Sequence, residues 1–445
     1  MVLPRSQVSA LAVVSCDTEK PSEVDVVVVG GGIAGVSTAL ALAERNIRVC
    51  LCEKGRIAGE QSSRNWGWVR QMGRDPAEMP LAIESLKIWR SFERNYGIET
   101  GFRSTGICYL CRTAGEKAKV EKWAKTGEAF GLEQHVLGSS RIARLLPAST
   151  KEFTLGLHTP TDGRAEPSLA VPALAGKARE LGAVLLEGCA VRGFETAGGK
   201  VSDAVTEHGN IRCDAIVVAG GAWTRLFLGN VGVPFPQLRI LSTAARADGV
   251  ENAPEMPVGG GDFAFRRRLD GGFTIALRNT NIAPLVPDSV RLFADFLPAV
   301  KRHWRELRFE IGSEFVTELR TPRRWSVDES TPFEARRTLD PTPRVSLNHK
   351  ALVALRRAFP SFASARITHS WAGLIDTTPD ELPVLDRVDR YPGLFVASGF
   401  SGHGFGTGPA AGLLMAQLVN CESPCVDPRP FSLSRFGPSR REAGE

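Results

Sequence analysis

The segment from Val24 to Glu53 constrains the fold of this chain more than any other feature. A run of apolar, strand-forming residues ends at Gly30, and Gly30, Gly32 and Gly35 follow in the order G-x-G-x-x-G. A helix of small residues and a second apolar run come next, so the acidic residue lies about 20 residues beyond the glycines. This order predicts a strand, a tight turn, a helix and a parallel strand that together bind a dinucleotide.

The glycines and the helix that follows them suit the phosphate groups of a dinucleotide. Gly30 allows the tight turn, and the missing side chain at Gly32 lets a pyrophosphate approach the backbone. The first helical turn includes Ile33 and Ala34, and its free N–H groups carry the positive end of the helix dipole. Glu53 can accept hydrogen bonds from both hydroxyls of an adenosine ribose. The motif by itself leaves NAD and FAD as alternatives.

Length and composition place the chain among globular proteins with more than one domain. Its 445 residues are 43% hydrophobic and 23% charged, and the net charge of +6 is small for this length. Acidic and basic residues are interspersed, so no nucleic-acid partner is expected. No apolar run reaches the roughly 18 residues of a membrane span. The oligomeric state is left open.

The nine cysteines are an odd number and are scattered along the chain, several of them in predicted strands. This usage predicts free thiols in a cytoplasmic protein rather than a disulfide framework. Cys108 and Cys111 fall within a predicted strand, so neither a redox pair nor a metal site is expected there. Residues 1–22 contain only a short apolar patch and are predicted to be a disordered leader.

Hydrophobic periodicity divides the chain into α/β segments and an antiparallel segment. Met79 to Tyr96 has the apolar spacing of an amphipathic helix, and Ile107 to Cys111 reads as a short strand. Between residues 239 and 353 the strands alternate more, and the Asp-Gly pair at 270–271 predicts a hairpin turn. The α/β pattern returns at 393–399.

A second glycine-rich segment lies near the C-terminus. A strand that ends at Gly399 leads into the loop from Gly402 to Gly408, and a helix is predicted from Ala410 to Val419. A loop of this composition can bring its backbone against a flat ring system and direct N–H groups toward it.

Together these motifs resemble the D-amino acid oxidase superfamily of FAD enzymes, which includes glycine oxidase, sarcosine oxidase and the D-amino acid dehydrogenases. The resemblance covers residues 24–419, and it is carried by the first glycine motif and by the segments 162–167, 217–223 and 399–405. It implies FAD in an extended pose. The ADP half would lie on the first glycine motif and the isoalloxazine ring on the C-terminal loop.

The predicted fold class is α/β, a Rossmann-type FAD-binding domain with an inserted α+β domain built on an antiparallel sheet. The FAD-binding domain is expected to be discontinuous and to comprise residues 23–103, 162–237 and 366–431. The substrate-binding domain is expected to comprise residues 104–161 and 238–365, followed by a tail at 432–445.

The resemblance implies a set of cofactor contacts that extends over both glycine-rich motifs. The ADP half is expected to meet Gly30, Gly32, Ile33, Ala34, Gly35, Glu53, Lys54 and Val191. Further contacts are expected from Ser62, Ser63, Arg64, Asn65, Trp66, Gly67, Ala219, Gly220, Trp223 and Gly373. The flavin ring is expected to meet Gly402, His403, Gly404, Phe405, Gly406 and Thr407.

In this family the flavin accepts a hydride from the carbon next to a neutral amine, and the resulting imine hydrolyses. The protein must supply a cation for the substrate carboxylate, an apolar wall, and a donor where negative charge develops on the flavin. The resemblance assigns the carboxylate to Arg70, with Arg324 and Arg266 as reserve cations. Arg70 can alternatively form a structural salt bridge or contact the FAD phosphates.

Four further side chains are predicted to surround the substrate. Trp66, Trp68 and Tyr109 are candidate walls of its pocket. His403 lies between two glycines of the flavin loop and is predicted to contact the substrate or the flavin.

The chain departs from the family pattern at five positions. Ile375 and Gly402 stand where glycine oxidases carry arginines. Gly373 stands where sarcosine oxidases attach FAD through a cysteine, so the FAD is expected to be non-covalent. Ala276 and Gly406 stand at lysine positions of the sarcosine oxidases. The electron acceptor is therefore left open between oxygen and a quinone-type carrier.

The sequence thus predicts an FAD-dependent amine or amino acid oxidase or dehydrogenase. The favoured reaction oxidises the C–N bond of a small amino acid or an N-substituted glycine, such as sarcosine or iminodiacetate. The imine would hydrolyse to an amine and an oxo acid, and oxygen would yield hydrogen peroxide. The alternatives are a D-amino acid dehydrogenase attached peripherally to a membrane, which reduces a quinone, and an FAD-binding subunit without catalysis.

Overall fold

The computed structural model describes residues 10–437 of the chain. The helices are α1 (Ile33–Ala43), α2 (Gln61–Arg64), α3 (Met79–Tyr96), α4 (Ala114–Ala129), α5 (Ser139–Leu145), α6 (Pro167–Glu180), α7 (Thr224–Asn230), α8 (Pro287–Arg291), α9 (Phe293–His303), α10 (Ser313–Arg320), α11 (Pro332–Ala335), α12 (Val345–Ala358) and α13 (Gly404–Val419). The strands are β1 (Val26–Val29), β2 (Val49–Cys52), β3 (Trp68–Val69), β4 (Ile107–Cys111), β5 (His135–Gly138), β6 (Leu155–Thr159), β7 (Gly163–Arg164), β8 (Val184–Leu186), β9 (Val191–Ala197), β10 (Lys200–Thr206), β11 (Gly209–Arg212), β12 (Ala215–Val218), β13 (Leu238–Asp248), β14 (Val258–Gly259), β15 (Ala264–Arg267), β16 (Phe273–Ala276), β17 (Asn281–Pro284), β18 (Leu307–Glu310), β19 (Arg366–Thr377), β20 (Val384–Arg387) and β21 (Leu394–Ser398).

A six-stranded sheet in the order β20-β21-β12-β1-β2-β8 carries the first glycine motif. Its strands are parallel except β20, which runs antiparallel to β21. Successive residues of β1 face opposite sides, because strand side chains alternate. Val26 and Val28 pack against α1, α6 and α13, whereas Val27 packs toward the smaller sheet β9-β10-β11. The predicted Rossmann-type fold is confirmed.

Close approach at the glycines sets the geometry of this layer. Gly30 has a φ of 111°, which favours glycine, and a Cβ built on it would lie 2.5 Å from the carbonyl oxygen of Ala219. A Cβ on Gly35 would lie 1.9 Å from the Gly30 carbonyl oxygen. On the other side of α1, a Cβ on Gly412 of α13 would lie 2.4 Å from the Ser37 carbonyl carbon. Only glycine at these positions lets α1 lie against both β1 and α13.

A ten-stranded sheet forms the second layer, in the order β18-β17-β13-β16-β15-β14-β4-β6-β5, with β19 paired to β13. The predicted hairpin at 270–271 is present, because β15 and β16 pair antiparallel across that turn. The third segment expected for the FAD-binding domain begins at residue 366, yet β19 pairs with β13 along residues 366–377. This strand therefore belongs to the larger sheet, and the next strand, β20, lies in the six-stranded sheet.

The helix after the C-terminal loop begins earlier than predicted. Glycines 404, 406 and 408 lie within α13, which starts at Gly404 rather than at Ala410. The Gly406 carbonyl accepts hydrogen bonds from Ser85 Oγ at 2.7 Å and from Trp89 Nε1 at 3.0 Å. These bonds from α3 attach the first turn of α13, so residues 404–408 of the segment predicted to be a loop are helical.

The N-terminal segment is attached to the six-stranded layer. The backbone N–H of Asp17 donates to the Leu185 carbonyl at 2.8 Å, and the Asp17 carboxylate pairs with Arg179 at 2.8 Å. The expectation of a disordered leader is therefore wrong for residues 10–22, and its first part, residues 1–9, lies outside the described residues. Leu11 and Val14 of the short apolar patch pack against the hydrophobic core, which explains why residues 10–22 are attached to this layer.

The structure also bears on the predicted free thiols and on the predicted lack of a membrane span. All nine cysteines are free, and most are buried. No helix between residues 10 and 437 is long and apolar enough to cross a bilayer. The cytoplasmic location stays a prediction.

The contact between α1 and α13 generates a stability prediction. Gly412→Ala forces a methyl group against the backbone of Ser37 and should lower the free energy of unfolding by about 1–3 kcal/mol. Gly176→Ala in α6 is the matched control, because no atom lies within 4 Å of the added methyl group. The control should be neutral or stabilise by up to about 1 kcal/mol. Urea denaturation measures both, and equal effects would contradict the close-packing argument.

Candidate active site

A cavity of about 630 Å³ lies where the parallel strands of the six-stranded sheet end. Its lining includes Val29 at the end of β1, Cys52 at the end of β2 and Val218 at the end of β12. It continues to residues of the ten-stranded sheet, among them Tyr109 and Ala244. Ligands of open α/β sheets bind at this edge, outside the carboxyl ends of the strands.

Most residues predicted to contact the cofactor line this cavity. They are Gly30, Gly32, Ile33, Ala34, Glu53, Lys54, Ser62, Arg64, Asn65, Trp66, Val191, Ala219, Gly220, Trp223, Gly373, Gly402, His403, Gly404, Phe405 and Gly406. Four others lie behind the cavity wall, namely Gly35, Ser63, Gly67 and Thr407. Gly35 packs on β1, and the Thr407 hydroxyl donates to the His403 carbonyl at 3.2 Å. Direct contact with the cofactor, as predicted for these four residues, is therefore not supported by the cavity lining.

The end of the cavity near the first glycine motif is built around Glu53. The Gly31 N–H donates to one carboxylate oxygen of Glu53 at 2.8 Å, and the Gly55 N–H donates to the other at 2.7 Å. Burial raises the pKa of Glu53, while Lys54 and the two N–H groups act in the opposite direction. Ser62 Oγ accepts the Ile33 N–H at 2.9 Å, which orients the first turn of α1.

Glu60 joins three segments at this end, and sequence reasoning missed it. Its Oε1 atom accepts hydrogen bonds from Lys54 Nζ at 2.9 Å, Trp223 Nε1 at 3.1 Å and the Leu339 N–H at 3.0 Å. Lys54 also lies 4.4 Å from the centre of the Trp223 ring. An acid in an irregular segment carries no sequence signal for this role, because its partners are distant in the chain.

Arg64 connects the cavity to the ten-stranded sheet. Its Nη1 donates to Asp340 at 2.6 Å and to the Ala372 carbonyl at 2.9 Å. Its Nε is buried without a hydrogen-bond partner. A Cβ built on the neighbouring Gly373 would lie 3.3 Å from the Arg64 Cβ. The region therefore holds an unsatisfied donor and little space for a side chain at residue 373.

Arg70 lies in the cavity without an acidic partner. Its guanidinium donates to the Met72 carbonyl and lies 5.9 Å from the centre of the Tyr109 ring. The Asp162 carboxylate accepts the Gln71 N–H at 2.8 Å and holds the backbone beside Arg70. Burial raises the pKa of Asp162 to about 6. Within residues 10–437, no carboxylate lies within 4 Å of the Arg70 side-chain nitrogens, so its charge faces the cavity.

Arg278 is a second unpaired cation, which sequence reasoning missed. Its guanidinium carbon lies 4.2 Å from the centre of the Tyr109 ring, and its Nη1 donates to the Gly260 carbonyl at 3.0 Å. No salt bridge to it forms among the described residues. Burial lowers the pKa of Arg278, and Arg70 acts in the same direction. Two guanidinium groups near one aromatic ring provide the type of charge that recognises carboxylates.

The predicted aromatic walls lie together beside these arginines. The ring centres of Trp66 and Trp68 are 5.8 Å apart, and those of Trp68 and Tyr109 are 5.6 Å apart. Trp123 of α4 adds a further ring, 5.0 Å from Tyr109. All four residues line the cavity.

The two reserve cations are not available to a substrate, so both predictions are wrong. Arg266 has 1% of its side chain exposed and makes two hydrogen bonds to Glu166, at 2.6 and 2.9 Å. Its Nε also donates to the Trp66 carbonyl. Arg324 is exposed, lies outside the cavity lining and donates to the Asn230 carbonyl.

His403 and Glu78 form a buried pair at the start of α13. The His403 Nδ1 lies 2.8 Å from Glu78 Oε2, and the Glu78 side chain has no exposure to solvent. Arg74 Nη1 lies 3.9 Å from the same carboxylate oxygen. Burial lowers the pKa of His403, so its imidazole is neutral near pH 7. All three residues line the cavity.

Charged groups also border the cavity at α4 and α9. His303 Nε2 lies 2.7 Å from Glu381, and His303 Nδ1 lies 3.6 Å from Glu306. Hydrogen bonds to Glu306 and Glu381 raise the pKa of His303 to about 9. Lys119 of α4 lies 3.7 Å from Glu306. These ion pairs connect α9 to α4 and to the segment that follows β19.

The arrangement fits FAD. The glycine cradle leaves no space for a Cβ at residue 30, the Glu53 carboxylate is held at the cavity by two backbone N–H groups, and Arg64 Nε is an unsatisfied donor. The N-terminus of the 16-residue helix α13 borders the same cavity and carries a positive dipole end. Within residues 10–437, no group of three or more His, Cys, Asp or Glu side chains is placed to hold a metal ion.

Comparison with known proteins gives the family. A sequence model described as DAO, FAD dependent oxidoreductase, matches residues 25–418. The chain belongs to this family. The DAO fold of the chain superposes on L-amino acid deaminase from Proteus myxofaciens in complex with anthranilate, with a TM-score of 0.93 and 33% identity over 98% of each chain.

Sequence relatives of this DAO-family chain act on amines and amino acids. Sarcosine oxidase subunit beta from Arthrobacter sp is 23% identical over 94% of this chain and 92% of its own length. Glycine oxidase from Geobacillus kaustophilus is 26% identical over 92% of this chain and 97% of its own length. The predicted FAD dependence and the predicted enzyme class, a flavin oxidoreductase of amino acids and amines, are confirmed.

The Arg266–Glu166 pair generates a second stability prediction. Arg266→Met removes both hydrogen bonds from Arg266 to the buried Glu166 carboxylate and leaves it the more distant Arg164, at 3.9 Å, as a cation, so it should cost about 3–5 kcal/mol of unfolding free energy. Arg267→Met, in the next position, is the control, because Arg267 is 40% exposed and its pair with Glu255 should contribute less than about 1 kcal/mol. Chemical denaturation of the two variants tests this. A destabilisation of Arg266→Met no larger than that of the control would show that the pair is not structural.

Proposed function

We propose that the chain oxidises an L-α-amino acid with an apolar side chain to an imine, which hydrolyses to a 2-oxo acid and ammonia. The observation that carries this proposal is the pair of unpaired guanidinium groups, Arg70 and Arg278, on the Tyr109 ring inside the cavity. The likeness to a solved L-amino acid deaminase at 33% identity supports a primary amino acid over the secondary amines favoured by the sequence motifs.

Each end of the cavity has a separate task in this reaction. Gly30, Gly32, the start of α1 and Glu53 would hold the ADP half of FAD, and the start of α13 would lie at the flavin ring. Bound FAD supplies the acceptor for the hydride of the substrate α-carbon. Arg70 and Arg278 bind the substrate carboxylate and thereby fix the orientation of that carbon.

The apolar side-chain class is proposed from the apolar residues of the cavity lining. Trp66, Trp123, Leu277, Ile375 and Phe400 all border the cavity. An apolar or aromatic substrate side chain removes its own surface and that of these residues from water. An apolar side chain forms no ion pair with Arg70 or Arg278, so both arginines remain available to the substrate carboxylate.

N-substituted glycines are the second candidate class of substrate. The matches to sarcosine oxidase subunit beta and to glycine oxidase over more than 90% of this chain favour them. The experiment described next also distinguishes oxygen from a quinone-type carrier as the electron acceptor. Ala276 is buried in β16, so this position supplies no cation for oxygen.

The test is an anaerobic titration of the purified protein reconstituted with FAD. L- and D-amino acids of increasing apolar size, sarcosine and iminodiacetate are added while the flavin absorbance is recorded, and air is then admitted. The proposal expects bleaching by large apolar L-amino acids, and peroxide on re-oxidation identifies an oxidase. Bleaching by sarcosine or iminodiacetate alone would transfer the assignment to N-substituted glycines. A flavoprotein that no amine bleaches would be a non-catalytic FAD-binding subunit.

Arg278→Met tests the carboxylate site. Loss of one cation from a buried charge pair should weaken binding of the amino acid by about 2–5 kcal/mol. The FAD content should stay the same, because Arg278 lies at the aromatic wall, away from the glycine cradle. Arg324→Met, at an exposed arginine outside the cavity, is the control and should bind substrate normally. Equal dissociation constants for the two variants would exclude Arg278 from the site.

A further inference from the structure

Glu78 has an unusual environment for the residue that precedes a helix. It is the N-cap of α3, but its carboxylate caps no N–H of that helix and turns toward His403 instead. An N-cap carboxylate ordinarily accepts a hydrogen bond from the first helical turn. The side chain is fully buried, so its position depends on its partners in the cavity wall.

In the cluster of Arg74, Glu78 and His403, two buried polar atoms lack a hydrogen-bond partner in the described part of the chain. Glu78 Oε1 and Arg74 Nη1 are buried, and neither has a hydrogen-bond partner among the described residues. Unsatisfied buried polar atoms destabilise a fold, and a buried ion pair is weak support for stability. Because the cluster contributes little to stability and lines the cavity, we expect its role to lie in the binding or reaction of a ligand there.

The hydrogen bond to Glu78 determines which nitrogen of His403 carries the proton. A carboxylate accepts, so Nδ1 of the neutral imidazole donates, and Nε2 keeps a free lone pair. Within residues 10–437, no hydrogen bond occupies Nε2, and His403 lines the cavity. The pair therefore presents a proton acceptor to whatever the cavity holds.

We propose that His403 accepts the proton that the ammonium group of the substrate must lose before oxidation, and that Glu78 positions His403 for this step. The inference rests on the function proposed above. In the step, one N–H bond of the ammonium breaks and an Nε2–H bond forms. The substrate becomes a neutral amine, the histidine becomes an imidazolium beside the Glu78 carboxylate, and nothing is oxidised or reduced.

The position of Arg70 relates this acceptor to the substrate. Arg70 lies close enough to His403 to lower the pKa of its imidazole. Both residues line the cavity. The nitrogen of an α-amino acid is two bonds from its carboxylate carbon, so a carboxylate on Arg70 keeps the ammonium group in the part of the cavity whose charges act on the histidine. Arg70, Arg74 and Arg278 would also lower the pKa of that ammonium group, which makes the transfer easier.

Four charged residues act on the titration of His403. Burial and then Arg74 lower its pKa, Glu78 raises it, and Arg70 lowers it. Glu381, from the segment after β19, interacts electrostatically with His403 as well. The sum lowers the pKa of His403 below the ordinary value of 6.5, so the acceptor form is present at neutral pH and is lost as the pH falls.

The first test compares pH profiles of anaerobic flavin reduction for the wild type, His403→Asn, Glu78→Gln and the control Glu84→Gln. Glu84 lies on the same helix and pairs with Lys87 outside the cavity. His403→Asn should lose about 10²-fold near pH 7, and its rate should rise toward the pKa of the substrate ammonium group. Glu78→Gln should lose less, and its acid limb should move to lower pH, because the carboxylate no longer stabilises the imidazolium. The control should match the wild type.

A substrate analogue with a weakly basic amine, already neutral at pH 7, separates this role from a structural one. It should restore His403→Asn to near wild-type rates. If His403→Asn keeps the wild-type pH profile, fails to respond to the analogue or loses FAD, the proposal is overturned. If no amino acid bleaches the wild type, the proposed function fails, and this inference fails with it.

A second readout needs no turnover. NMR of the holoenzyme labelled with ¹⁵N-histidine, with His403→Asn used to assign the signal among seven histidines, should show protonated Nδ1 and unprotonated Nε2. Glu78→Gln should shift this signal, and Glu84→Gln should not. A His403 protonated on Nε2 in the wild type would contradict the proposal.

Discussion

The close contact between the first helix and the end of the first strand supports the rest of this structure. With no side chain at Gly30 and Gly35, α1 lies on β1 and its N-terminus faces the ends of the parallel strands. The contact of α1 with Gly412 then places α13 beside it. Because α13 begins at the cavity, the same packing brings the two glycine-rich motifs, more than 350 residues apart in the chain, to one site.

Buried charge connects this layer to the ten-stranded sheet. Arg266 of β15 is bonded to Glu166 at the start of α6, and Arg64 reaches the carbonyl of Ala372 in β19. Arg266 also donates to the carbonyl of Trp66, so these bonds reach the aromatic wall of the cavity. The aromatic end of the cavity thus includes side chains from the second sheet, whereas the end near the first glycine motif is built mainly from the backbone of the first.

Local sequence signals predicted a large part of the fold. They failed where contacts with residues distant in the chain determine the structure. The helix at 79–96 and the strand at 107–111 have the predicted bounds, because their apolar spacing identifies them. The start of α13 was misjudged, since glycines indicate a loop unless another helix holds them. Arg266 was misjudged as a free cation for a related reason: nothing near it in sequence shows that a buried glutamate lies beside it.

The sequence by itself determined the dinucleotide-binding unit and the α/β class, because those depend on short-range glycine spacing and residue periodicity. The FAD-dependent oxidoreductase family came from the resemblance of several motifs to known proteins, and not from the spacing alone. Only the tertiary structure decided which arginines remain unpaired, that Arg278 joins Arg70 on Tyr109, and that Glu78 meets His403. These partners lie up to 325 residues apart in the chain. The charge and orientation of a side chain in a site depend on its neighbours in space, which sequence order does not contain.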